Sequence, residues 1–107
     1  MPEDIIAQVR AAAAIRSLFL PHAIRQMSRP GRMITPGEVE IVAAKGELVE
    51  DYADDVRGHS CLLLGAGADG RPIHVVCAPK PEYLAIITAY RPHPDQWAAD
   101  FRQRKSS

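Results

Sequence analysis

No apolar run in the sequence approaches the ~20 residues that a membrane-crossing helix needs, so no bilayer span and no membrane partner are expected. The opening segment, MPEDIIAQVRAAAA, sets two acids ahead of its apolar residues and lacks a positive stretch followed by a hydrophobic one. It does not read as a secretory signal, and a cytoplasmic location is the default. Cysteine is scarce: the two thiols, Cys61 and Cys77, sit inside apolar runs with no Cys-x-x-Cys spacing, which argues for buried free thiols rather than a redox or zinc motif. Four histidines without a paired ligand spacing give no reason to expect a structural metal, and nothing calls for a cofactor. Paired carboxylates in an apolar context, a nucleophile elbow and internal repeats are also missing. Net charge is absent too, because thirteen basic residues cancel thirteen acidic ones, which weakens any case for nonspecific nucleic-acid binding.

What is there is a chain of 107 residues, 47% hydrophobic and 24% charged, the composition of one globular domain spanning residues 1–107. Its charge is unevenly spread. Arg16, Arg25, Arg29 and Arg32 fall in one early segment, whereas Glu38, Glu40, Glu47, Glu50, Asp51, Asp54 and Asp55 crowd the next.

From Pro2 to about Leu18, Ile5, Ile6, Val9, Ala12, Ala13 and Ile15 recur at helical spacing, which predicts an amphipathic helix with Arg10 and Arg16 toward water. Pro21 can open a second, short helix through Met27 that ends at Pro30-Gly31, with Ile24 and Met27 facing inward and His22 and Arg25 sharing an outer face. Thr35-Pro36-Gly37-Glu38 is a capping box with proline in the first helical position, and it predicts a third helix closing at Lys45-Gly46.

Glu47–Tyr52 alternates as an outer strand, and His59–Gly65, apolar on both faces at Cys61–Leu64, reads as an interior one. Gly65-Ala66-Gly67-Ala68-Asp69-Gly70 matches the G-x-G-x-x-G pattern, but it leads into a strand. We read it as a hairpin loop and expect no dinucleotide. Strands at Arg71–Ala78 and Tyr83–Tyr90 then complete an antiparallel meander, and Pro94 can start a last short helix through Trp97 and Phe101. The expected fold class is α+β: two or three N-terminal helices packed on a four-stranded antiparallel β-meander, followed by a short C-terminal helix.

The informative stretch is Arg71–Pro92. His74 and Val76 share one face of its first strand, and Ile86, Thr88 and Tyr90 share one face of its second. If Ala78 pairs with Leu84, His74 lies opposite Thr88, and an imidazole, a hydroxyl and a phenol stand together on an otherwise aliphatic face.

These ordered features resemble the small bacterial family catalogued as domain of unknown function 4258. They comprise PHAIRQMSR, TPGE, KGELVEDY, GRPIHVV, IITAYRP and Trp97, over roughly residues 17–102. The resemblance maps His22 and Arg25 onto an early His-Ala-x-x-Arg-Met pattern, with Met27 one place late. It maps Arg71 and His74 onto an Arg-Pro-x-His strand, and Thr88 and Tyr90 onto a Thr-x-Tyr strand. The helices-then-meander order is also similar to RelE-type toxins, whose members include endoribonucleases, although their strongly basic surface is not matched by this neutral chain.

Two functions follow. One is a metal-independent endoribonuclease of a toxin and antitoxin pair, with RNA or the ribosome as substrate and a cognate antitoxin as partner. In it His22 and His74 act as acid and base, Arg25 or Arg71 grips the phosphate, and Thr88 or Tyr90 orients it. This reading requires His22 and His74 to converge in one cleft. The alternative is a noncatalytic protein-interaction domain, in which His74, Thr88 and Tyr90 form a satisfied polar network.

Overall fold

The computed structural model describes residues 4–31 and 33–105, so the sequence expectations at Pro2 and Arg32 lie outside the described residues. Three helices and five strands follow one another as α1 (Ile5–Ile15), β1 (Ser17–Phe19), α2 (Pro21–Met27), α3 (Pro36–Lys45), β2 (Glu47–Tyr52), β3 (Ser60–Ala66), β4 (Pro72–Pro79) and β5 (Leu84–Tyr90). The sheet runs in the order β1-β5-β4-β3-β2.

The first helix is shorter than its apolar periodicity predicts. Asp4 caps its start by accepting from the Ala7 amide, and it stops at Ile15 because the next residues are drawn into the sheet. Ser17–Phe19 pairs in parallel with Leu84–Ile86, fixed by bonds from the Leu84 amide to the Arg16 carbonyl (2.8 Å) and from the Leu20 amide to the Ile86 carbonyl (3.0 Å). The sheet is therefore five-stranded and mixed, not a four-stranded antiparallel meander. Arg10 does not project into water either. Its guanidinium donates to the Ala43 and Gly46 carbonyls, both at 2.7 Å, and so ties α1 to the C-terminal end of α3, where a cation is favourable.

The capping box forms as the sequence predicts: the Glu38 amide donates to the Thr35 hydroxyl at 3.1 Å, and the Glu38 carboxylate accepts from the Thr35 amide at 2.9 Å. The other Glu38 oxygen accepts from the Ala68 amide at 2.8 Å, joining the start of α3 to the β3–β4 loop. Gly67 makes that approach possible, since a Cβ there would run into the Glu38 carboxylate and come within 2.9 Å of Ile73 Cδ1. The loop is a hairpin closed by the Gly67 amide on the Arg71 carbonyl (2.9 Å), with Gly70 at φ +81°.

All three helices lie on one sheet face, where Val9, Ala23, Met27, Val39 and Val42 pack with Cys61, Leu63, Ile73, Val75, Cys77, Leu84 and Ile86. On α2 the inward positions are Ala23 and Met27, and Ile24 is turned outward, because the short helix seats its smallest side chain against β5. Alternation along β4 sends His74, Val76 and Ala78 to the opposite face.

That second face is covered by the C-terminal segment, which is not a helix. With prolines at 92 and 94, the chain turns after β5, and Trp97 pairs with Arg104 in an isolated bridge. Phe101, at φ 58°, reverses its direction between them. Burying Trp97 against the sheet and tethering Arg104 to β2 holds this segment in a succession of turns instead of the predicted helix.

Candidate functional site

The register of β4 and β5 decides which polar groups meet. Pro79, not Ala78, pairs with Leu84, and a bulge opposite Val76/Cys77 adds Ile87 as an extra residue. Together the two shifts place Tyr90 opposite His74 and Thr88 opposite Val76. Thr88 thus lies further along the strand than expected, and its hydroxyl has no hydrogen-bond partner among the described residues.

His74 is completely buried. Its Nε2 is 2.9 Å from the Phe101 carbonyl oxygen and its Nδ1 is 3.2 Å from the Tyr90 hydroxyl. A carbonyl can only accept, so Nε2 carries the proton and Nδ1 accepts from Tyr90. The ring stands edge-on to Trp97 at 4.4 Å and to Tyr90 at 5.4 Å between centroids. Burial pushes the His74 pKa below its ordinary value, and burial raises that of Tyr90, so both groups are held neutral.

A rim of charge closes over this centre. Arg104 lies 4.7 Å above the Trp97 ring and donates to the Glu50 carboxylate at 3.0 and 3.1 Å. The Tyr52 hydroxyl also donates to Glu50, and burial with this bond pushes the Tyr52 pKa up to about 12. Arg104 holds the Glu50 carboxyl below the usual glutamate range, and Arg102 does the same for Glu47. Apart from Asp54, the acids of the 47–55 segment are thus taken up by protein partners: Asp51 meets His59, and Asp55 meets Arg57 and Ser60. No group of three His, Cys, Asp or Glu side chains suited to a metal occurs among the described residues.

His22 and Arg25 lie elsewhere. Both are exposed on α2, which packs on the helical face of the sheet, whereas His74 points into the other face. The two imidazoles therefore do not share a cleft. The helix–sheet layering separates them, and this is a correction to the pairing that the ribonuclease reading requires. Arg71 is also exposed, in the β3–β4 loop, where its Nε pairs with Asp69 at 2.6 Å. Of the six candidate residues, the structure brings only His74 and Tyr90 into contact.

A family model, Domain of unknown function (DUF4258), matches residues 19–91, well over half of the chain. The chain belongs to the DUF4258 family. The match contains all six candidate residues and ends at Arg91, so the Trp97–Arg104 cover of this DUF4258 protein lies beyond it. No curated protein and no solved structure matches the chain. Among the described residues, no helix is long and apolar enough to cross a membrane.

The sequence signal for the cover was the isolated Trp97, which marked an apolar anchor without saying what it would anchor. The Phe101 carbonyl had no signal, because a backbone acceptor is supplied by any residue. Glu50 and Arg104 lie 54 positions apart and form a pair only once the C-terminal segment folds back.

Proposed function

We propose that this chain is a noncatalytic protein-interaction domain in which His74 and Tyr90 serve the fold. The observation that carries this reading is the complete burial of His74 with both ring nitrogens occupied. A general base needs an unshared nitrogen within reach of a substrate proton. Here the acceptor nitrogen is filled by Tyr90, the donor nitrogen by Phe101, and Trp97 covers the ring. The separation of His22 from His74 removes the acid partner as well. Two buried free thiols fit a reducing compartment, which supports the cytoplasmic setting.

Incubating purified protein with total RNA, with and without ribosomes, tests the reading directly. We expect no cleavage, and in parallel a His74 ring resonance that does not titrate across mild pH while the protein stays folded. Cleavage that disappears in a folded His74 variant would overturn the proposal and restore the endoribonuclease assignment.

A further inference from the structure

A groove between α2 and the segment Met33–Pro36 is an apolar feature of the surface that the fold leaves unexplained. Its cavity volume is about 420 Å³, with Phe19, Ile24, Met27, Met33, Ile34 and Pro36 in its lining. Met27 and Ile34 are buried in the core, but Ile24 is 52% and Met33 65% exposed at the edges. Two large aliphatic side chains left in water beside an apolar cleft are what a docking surface presents before its partner arrives. Two of the chain's three methionines line this one groove, and methionine adapts its shape to varied apolar partners.

Charge identifies the occupant. No Asp or Glu occurs from residue 5 to residue 37, so the segment that lines the groove carries only positive charge, with Glu38 bonded to Thr35 at its end. Arg25 follows Ile24 and Arg29 follows Ser28, both of which line the groove. Arg16, Arg25 and Arg29 are exposed and have no ion-pair partner among the described residues, whereas Arg57, Arg71, Arg102 and Arg104 are each paired with an acid. Two of these unpaired arginines, Arg25 and Arg29, therefore stand next in sequence to residues of the groove that also leaves apolar groups exposed.

Resting on the interaction-domain reading above, we propose that this groove receives an acidic amphipathic segment of another protein. Its apolar side chains fill the cleft between Ile24 and Met33, and its carboxylates face Arg25 and Arg29. A protein fits better than a nucleic acid. Bases bind single-strand sites by stacking on aromatic rings, and the groups exposed at these edges are aliphatic.

A random peptide library displayed on phage, selected against the wild-type protein, provides the test. Two counter-variants, Ile24→Asp/Met33→Asp and Arg25→Glu/Arg29→Glu, change only exposed positions, and thermal melts confirm that each is folded. The expected result is enrichment of peptides that combine apolar and acidic residues. Each counter-variant weakens them by roughly tenfold or more, and salt weakens them further. Enriched peptides indifferent to both variants would place the binding surface elsewhere, ending this inference while leaving the interaction domain intact. Failure to enrich, or enrichment of neutral or basic peptides, would overturn the groove assignment. A fluorescent single-stranded RNA held through Arg25 and Arg29 but insensitive to Ile24→Asp/Met33→Asp would transfer this surface to nucleic acid. Cleavage of that RNA would instead sink the interaction-domain reading itself.

Discussion

His74 and Tyr90 stand opposite each other on β4 and β5, with the Tyr90 hydroxyl 3.2 Å from Nδ1 and the Phe101 carbonyl 2.9 Å from Nε2. The imidazole thereby links the sheet to the segment that covers it. Tyr90→Phe removes one hydrogen bond and keeps the ring, so it should cost about 1 kcal/mol. His74→Ala leaves the Tyr90 and Phe101 groups unpaired and opens a space beneath Trp97, and should cost about 2–4 kcal/mol. Denaturant midpoints at constant m measure both. Equal, near-zero losses would show that the pair does not support the fold.

The same burial makes stability depend on pH with a definite sign. The folded-state pKa of His74 lies below the ordinary 6.5, so at mildly acidic pH the unfolded chain binds the proton that the folded one refuses. The contribution is complete above 6.5 and is lost as the pH falls from there through the folded value. Glu50, whose carboxyl is lowered by Arg104, acts in a separate window that begins near the ordinary glutamate value of 4.5. Urea melts at about pH 7.5 and about pH 5.5 isolate the histidine. His74→Gln, which keeps a donor and an acceptor without the titration, should flatten the difference. An unchanged slope in that variant would assign the dependence to another group.

The elements written in local chemistry were legible in the sequence. Thr35 and Glu38 announce α3 by a reciprocal cap, and the continuous apolar run at Cys61–Leu64 announces an interior strand. What was illegible depends on distant partners. Ser17–Phe19 has too few residues to show a period, and only β5 makes it a strand. The bulge at Ile87 carries no glycine to mark it, yet it decides whether Thr88 or Tyr90 meets His74. Pro94 looked like a helix start because the pull of Trp97 toward the sheet and of Arg104 toward Glu50 cannot be read from neighbours in sequence. His74 and Tyr90 were visible as residues sharing a face, but the exclusion of His22 from that face follows from which side the helices cover.

Glu38 and Gly67 should be energetically coupled. Glu38→Ala removes both the capping box and the anchor for Ala68, at about 1–2 kcal/mol. Gly67→Ala pushes a methyl toward the same carboxylate and toward Ile73, at about 1–3 kcal/mol. With the carboxylate already gone, the methyl meets less, so the double variant should lose less than the sum of the singles. Strict additivity would mean that Ile73 alone carries the clash.

Cys61 and Cys77 face each other directly across β3 and β4, and both thiols are buried under the helices. The interaction of the two thiols lowers the Cys61 pKa, while the same interaction and burial raise the Cys77 pKa. A lowered pKa favours attack, but an alkylating reagent must first reach the sulfur. These strands lie in the interior of the sheet, where opening requires unfolding most of the core. Modification by iodoacetamide should therefore be slow in the native protein and should accelerate in step with the unfolding transition as urea is added. If Cys61 instead reacts in native buffer at a rate close to that of the unfolded chain, the β3–β4 centre opens locally, and the helices above it are not the continuous cover that the packing of Val9, Val39 and Val42 describes.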